Sequence, residues 1–176
     1  MTHVPVLETD RLRLREFRAS DHAAFADFVG DPGAAHFLGG ACDAVTAWRR
    51  MAAFAGHWPL RGFGPFAIAS RETDEFLGYC GPWFPYGKPE REIMWGVIPA
   101  AQRRGIASEA AHAARQWTYE NCGWPMAVSY IAPENIASRR VAEKLGAAHD
   151  GNVDYRGYVM QVWRHPPSET LNQKSQ

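Results

Sequence analysis

The stretch Glu92-Ile93-Met94-Trp95-Gly96-Val97-Ile98-Pro99-Ala100-Ala101-Gln102-Arg103-Arg104-Gly105-Ile106-Ala107-Ser108-Glu109-Ala110 joins a strand-like apolar run to an alanine-rich helical pattern. Pro99 ends the strand, and a short loop with two arginines and a glycine leads straight into the helix. Such a junction can aim several main-chain N–H groups at one point, and the helix start adds unpaired donors and the positive end of its dipole. Phosphate binds at such ends. Gly105 lets the main chain approach an anion closely, Ala107 keeps the first turn thin, and Arg103 and Arg104 bring fixed positive charge. Taken alone, the same junction is also compatible with an ordinary solvated helix start.

Working outward, the helix continues through Ala107, Ala110, Ala111, Ala114, Trp117 and Thr118 at i, i+3, i+4, i+7 spacing and stops near Gly123. Upstream, Arg11 to Arg15 alternates as a half-buried strand. Ser20 and Asp21 are N-cap candidates for a helix to Val29, and Asp43 for one to about His57. Residues 65–70, 76–84 and 91–98 read as three strands. Downstream come a strand over 126–131, a helix opened by Asn135 and stopped by Gly146, and strands over 147–154 and 158–164. The order β-α-α-β-β-β-α-β-α-β-β predicts an α/β (α+β) single domain, a mixed sheet flanked by helices, over residues 1–165. Residues 166–176 form a polar tail expected to be disordered.

Composition sets bounds on function. The 176 residues are 46% hydrophobic, enough for a core, and 19 Lys plus Arg balance 19 Asp plus Glu. That balance gives no general nucleic-acid surface. No apolar run has the length of a signal peptide or membrane span, and Cys42, Cys80 and Cys122 are too few and scattered for a disulfide framework. These features predict a cytoplasmic protein with no membrane partner. The seven histidines form no H-x-x-x-H or Cys/His cluster, so no metal site is expected. Gly62 to Ala67 fits G-x-G-x-x-A but runs into a strand, not a helix, and G-x-S-x-G is absent.

Gln102 to Ala107 match the signature Q/R-x-x-G-x-G/A, and with it the chain resembles the GNAT superfamily of N-acetyltransferases. The flanks resemble its RimJ/RimL-type branch, which includes ribosomal-protein N-terminal acetyltransferases. Glu92 to Pro99 fit E-I-x-W-x-[VI]-x-P, and Ser108-Glu109-Ala110 fit the T/S-E-A that follows the signature. Leu7 to Arg15, followed by Asp21, looks like the branch's opening strand. Asn135 to Gly146 look like its N-x-x-S-x-x-v-x-E-K-L-G helix. The three segments span nearly the whole domain in the right order.

The resemblance implies a mostly antiparallel sheet whose central parallel strands splay, with pantetheine in the gap, and direct acetyl transfer from acetyl-CoA in a ternary complex. It implies that Gln102, Arg103, Arg104, Gly105, Ile106 and Ala107 bind the CoA pyrophosphate, and that Trp95, Gly96, Val97 and Ile98 line the acetyl-pantetheine slot and polarise the thioester carbonyl. Glu92 matches the branch's glutamate and is the candidate general base; the alternative is a carboxylate paired with Arg91 or a neighbouring strand. Asn135 is an N-cap to which the resemblance adds a contact to CoA. Ser138 is the candidate acid for the departing thiolate, or a helix serine bonded to a carbonyl. Many superfamily members carry a tyrosine where this chain has Ala142. Arg139 and Lys144 are either near the adenosine 3′-phosphate or on a solvated face.

The acceptor amine, a small molecule or a protein N-terminus, is framed by analogy by residues 30–64 and 83–91, with Trp83, Phe84, Tyr86 and Trp58 as candidate pocket aromatics or ordinary core. A CoA-binding sensor without transferase activity, and transfer of a longer acyl group, stay open, as does the choice between monomer and homodimer.

Overall fold

The computed structural model describes residues 3–155 and 157–169. Its strands are β1 (Leu7–Glu8), β2 (Leu12–Arg15), β3 (Phe66–Ser70), β4 (Phe76–Trp83), β5 (Glu92–Val97), β6 (Val128–Ile131), β7 (Ala148–Tyr155) and β8 (Tyr158–Arg164). Its helices are α1 (His22–Gly30), α2 (Ala44–Arg61), α3 (Ile106–Cys122) and α4 (Ile136–Lys144). The strands form one sheet in the order β1-β2-β3-β4-β5-β6-β8-β7. Every neighbouring pair is antiparallel except β5–β6. The expected mixed, mostly antiparallel sheet flanked by helices is therefore the fold observed, with the two-residue β1 as an added edge.

Strand alternation decides which helix covers which face. Leu12, Leu14, Phe66, Ile68 and Val97 meet Ile106, Ala110 and Ala114 of α3. From β3 and β4, Ala67, Phe76 and Tyr79 point the other way, against Phe25, Phe28 and Val29 of α1 and Ala47 and Met51 of α2. The small α3 residues let the helix lie close to the sheet. The C-terminal end of α2 wraps round, so that Trp58 meets Trp117 of α3 and donates its indole N–H to Pro65 O at 3.0 Å. Trp58 thus belongs to the core.

Local chemistry departs from the sequence pattern at two helix ends. Asp21 does not cap α1; its carboxylate accepts from the Arg18 N–H and from the buried Arg15 guanidinium at 2.8 and 2.9 Å. Helix α2 runs past His57 to Arg61, because Pro59 falls in the last turn, where a lost N–H breaks only one bond, and Gly62 closes it at φ 77°. Asp43 caps its start as expected, accepting from the Thr46 N–H at 2.7 Å.

The feature that positions the site is the junction of β5 and β6. These parallel strands pair only at Glu92 with Val128, where the Val128 N–H donates to Arg91 O. Beyond that pair they part. Residues 166–169, assigned to the tail from sequence, still touch the body: Pro166 O accepts from the Tyr119 hydroxyl, and the Ser168 N–H donates to Pro125 O. The rest of that tail, 170–176, lies outside the described residues.

Candidate active site

Parallel pairing through Arg91 O turns the main-chain groups of alternate residues, Ile93, Trp95 and Val97, toward the gap. At the closed end of the fork Ile93 O accepts from the Ser129 hydroxyl at 2.6 Å. At the open end Val97 O accepts from the Gln102 side-chain amide at 3.1 Å. Between these two plugs the N–H and C=O of Trp95 and the N–H of Val97 have no facing strand.

A buried polar chain holds the closed end. Ser129 Oγ lies 2.9 Å from His165 Nε2, and Arg115 Nη1 lies 3.0 Å from His165 Nδ1 and donates to Leu145 O at 2.7 Å. Arginine only donates, so the bonds assign His165 as the neutral Nε2–H tautomer. Burial, reinforced by the Arg115 charge, pushes its pKa down to about 3. Sequence reading attached no role to Ser129, His165 or Arg115.

The open end leads to a cleft of about 590 Å³. Its floor is Trp95, Gly96 and Val97; its far wall is the start of α3 with Gln102, Arg103, Gly105, Ile106 and Ala107; and α4 contributes Asn135, Ser138, Arg140, Val141 and Lys144. Arg103 and Gly105 are left-handed, at φ 60° and 79°. No side chain caps α3, whose first intrahelical bond runs from the Glu109 N–H to Gly105 O. The preceding first-turn N–H groups and the dipole end therefore open on the cleft, an arrangement suited to an anion. In contrast, α4 is capped by Asn135, whose Oδ1 accepts from the Ser138 N–H at 3.1 Å. The Ser138 side chain lines the cleft and, among the described residues, makes no hydrogen bond back to its helix. A pantetheine diphosphate fits this form: uncapped N–H groups for phosphate, Arg140 and Lys144 for further negative charge, and free strand amides for its amide backbone.

The loop before α3 is held from behind. Glu109 accepts from the Thr9 hydroxyl at 2.5 Å and from Arg11 at 2.9 and 2.6 Å, and Arg11 also donates to Arg104 O at 3.0 Å. Burial raises the Glu109 pKa, but the bonds from Thr9 and Arg11 outweigh it and hold the carboxyl below its usual range. The opening strand and the residues after the signature are thus one clamp, a link the sequence pattern did not reveal.

Several expected site residues lie elsewhere. Arg104 borders a separate depression beside Arg15, Arg18 and Asp21. Ile98 donates its N–H to Leu77 O and packs in the core, being held by β4. Arg139 turns back to Pro133 O, and Arg140 takes the cleft position. Trp83 packs on Phe54 and His57, Phe84 lies under Arg61, and Tyr86 is 94% exposed, so none of the three lines the cleft. The remaining wall of the cleft comes from Phe28, Gly33, Ala34, Phe37 and Leu38. Glu92 sits at the fork's closed end, 6% exposed, with Oε2 2.5 Å from Lys88 Nζ and Oε1 3.4 Å from the Tyr130 N–H. Its partners are Lys88 and the neighbouring strand β6, not Arg91. Ala142 is fully buried against Ile131, Ala147, Trp163 and Trp95, so a tyrosine could not stand there without repacking.

Among the described residues no cluster of His, Cys, Asp and Glu could hold a metal ion, and no helix is long and apolar enough to cross a membrane. A family model for an acetyltransferase (GNAT) domain matches residues 11–148. The chain is 27% identical over 145 residues to the uncharacterized N-acetyltransferase YnaD of Bacillus subtilis, covering 82% of this chain and 84% of the relative. It is similar to the crystal structure of an acetyltransferase from Agrobacterium tumefaciens, with TM-score 0.84 and 32% identity over 92% of this chain and 94% of that one. Mycobacterium smegmatis RimJ, solved in complex with CoA-disulfide, shares the fold at TM-score 0.72 and 20% identity, over 96% of this chain and 88% of that one. A strand fork opening onto an uncapped helix, within a chain matched by that model over most of its length, makes this protein a member of the GNAT acetyltransferase family and hence an acyltransferase that uses acetyl-CoA.

Proposed function

We propose that the enzyme transfers an acetyl group to a primary amine, a small molecule or a protein N-terminus, by direct attack in a ternary complex. The observation that carries this is the parting of β5 from β6 beside the uncapped start of α3, which offers one continuous path from strand amides to an anion site. Acetyl-CoA, when bound, supplies the activated thioester. The first-turn amides of α3, with Arg140 and Lys144, hold its phosphates. Trp95 and Val97 orient the pantetheine arm through their main chain, and Asn135 and Ser138 border the thiol end. The acceptor enters from the side of Phe28, Ala34 and Leu38. An amine of pKa near 8 is largely protonated at neutral pH and must lose a proton before attack. Glu92 lies on the acceptor face of β5 and takes that proton, through water or directly, once Lys88 gives way. Ser138 donates toward the departing thiolate. Three free thiols support a reducing, cytoplasmic setting.

Incubation with acetyl-CoA and a panel of amines, including N-terminal peptides, should release free thiol with at least one acceptor. Tight CoA binding with no release across the panel would replace transfer by a sensor role.

A further inference from the structure

Lys88 carries a primary ammonium into the interior. Its side chain is 8% exposed, its Nζ lies 2.5 Å from Glu92 Oε2, and it sits 4.7 and 4.5 Å from the ring centres of Tyr130 and Tyr155. The two rings are nearly parallel, 13° apart with centres separated by 6.3 Å. A carboxylate and two aromatic faces are the groups that recognise an alkylammonium. The residue that fills them comes from a short exposed turn. Phe84, its N–H on His57 Nε2, and Glu90, paired with Arg164, anchor the two ends, while Tyr86 and Gly87 between them are exposed.

A buried ion pair is weak at stabilising a fold, because desolving both charges offsets their attraction. This pair also engages the one carboxylate on the acceptor face of β5, which Glu92 shares with Met94 and Gly96. We propose that Glu92, Tyr130 and Tyr155 form the seat for the acceptor's primary ammonium, and that Lys88 occupies it as a tethered competitor until an acceptor displaces it. The seat assigns the acceptor class as a cationic alkylamine. It rests on the acetyl-transfer reading for the meaning of "acceptor" but is tested without turnover.

A tethered group has an effective concentration in the millimolar range. If it fills the seat about nine-tenths of the time, the apparent affinity of a free ligand falls roughly tenfold. In the full chain loaded with CoA, n-propylammonium titrated calorimetrically should therefore bind at least tenfold tighter to Lys88→Ala and to Lys88→Gln than to the wild type. Tyr130→Leu in the Lys88→Gln background should remove that gain. Melting curves show which variants are folded; the glutamine variant keeps the side chain's length if alanine collapses the turn. In the unmodified chain, saturating tetramethylammonium should raise acetylation of Lys88 by N-hydroxysuccinimidyl acetate at least threefold relative to Lys144. Unchanged ammonium affinity in the folded variants, or unchanged Lys88 labelling, overturns the proposal. Failure of thiol release with normal ammonium binding would instead remove only the transfer step.

Discussion

Individual side chains show most clearly what geometry adds to identity. Gly96 must lack a Cβ, because one would lie 2.7 Å from the ring of Tyr79 on β4. His165 and His57 are 1% and 6% exposed and held neutral, with pKa values pushed by burial to about 3 and about 4, and by Arg115 and Arg61 in turn. Unfolded, each titrates near 6.5. Between those values and 6.5 the unfolded chain binds more protons, so stability is complete above pH 6.5 and declines as pH falls. From pH 7 to pH 5 each histidine should remove about 1–2 kcal/mol. Urea unfolding at the two pH values checks this, and His165→Gln should flatten the slope. An equal slope in that variant would mean that His165 is not the group responsible.

At the scale of elements, periodicity located nearly every strand and helix, because amphipathic spacing follows directly from which face is covered. The uncapped loop before α3 could be placed for the same local reason: its main-chain N–H groups are consecutive in the chain. Cleft residues on α4 were partly legible. Asn135, Ser138, Val141 and Lys144 follow an i, i+3 row along the cleft, with Arg140 beside it, whereas the Arg139 guanidinium turns back to Pro133 O, a contact that spacing does not disclose. Contacts between distant segments left no local trace. The clamp of Thr9 and Arg11 on Glu109 joins residues about a hundred positions apart; sequence does not reveal that α2 packs on Trp83 and Phe84, nor that Tyr86 stands in solvent. The clamp yields a prediction. Glu109→Ala should weaken CoA binding several-fold, since Arg11 then no longer fixes the loop at Arg104 O, while unfolding stability changes by about 1 kcal/mol, as expected for a partly exposed pair. Unaltered CoA affinity by calorimetry would show that the loop keeps its form unaided.

At the scale of the whole molecule, one backbone pair joins five strands on one side to three on the other. The chain Ser129–His165–Arg115, the contacts of Glu90 with Arg164 and of Glu92 with the Tyr130 N–H, and helices α3 and α4 add to that connection. The amides of Trp95 and Val97 should exchange with deuterium quickly in the free protein and at least tenfold more slowly with CoA present. Slow exchange at both positions without CoA would mean that these amides are already engaged and the fork is not the slot.

The parting of β5 and β6 also bears on how long the protein lasts. If acetyl-CoA lies along that seam, as proposed, it completes the hydrogen-bond ladder that the polypeptide leaves unfinished and acts as a structural member as well as a reagent. Binding to the native state alone lowers the share of chains open to proteases. Cells starved of coenzyme A would then hold less of this enzyme at the same rate of synthesis.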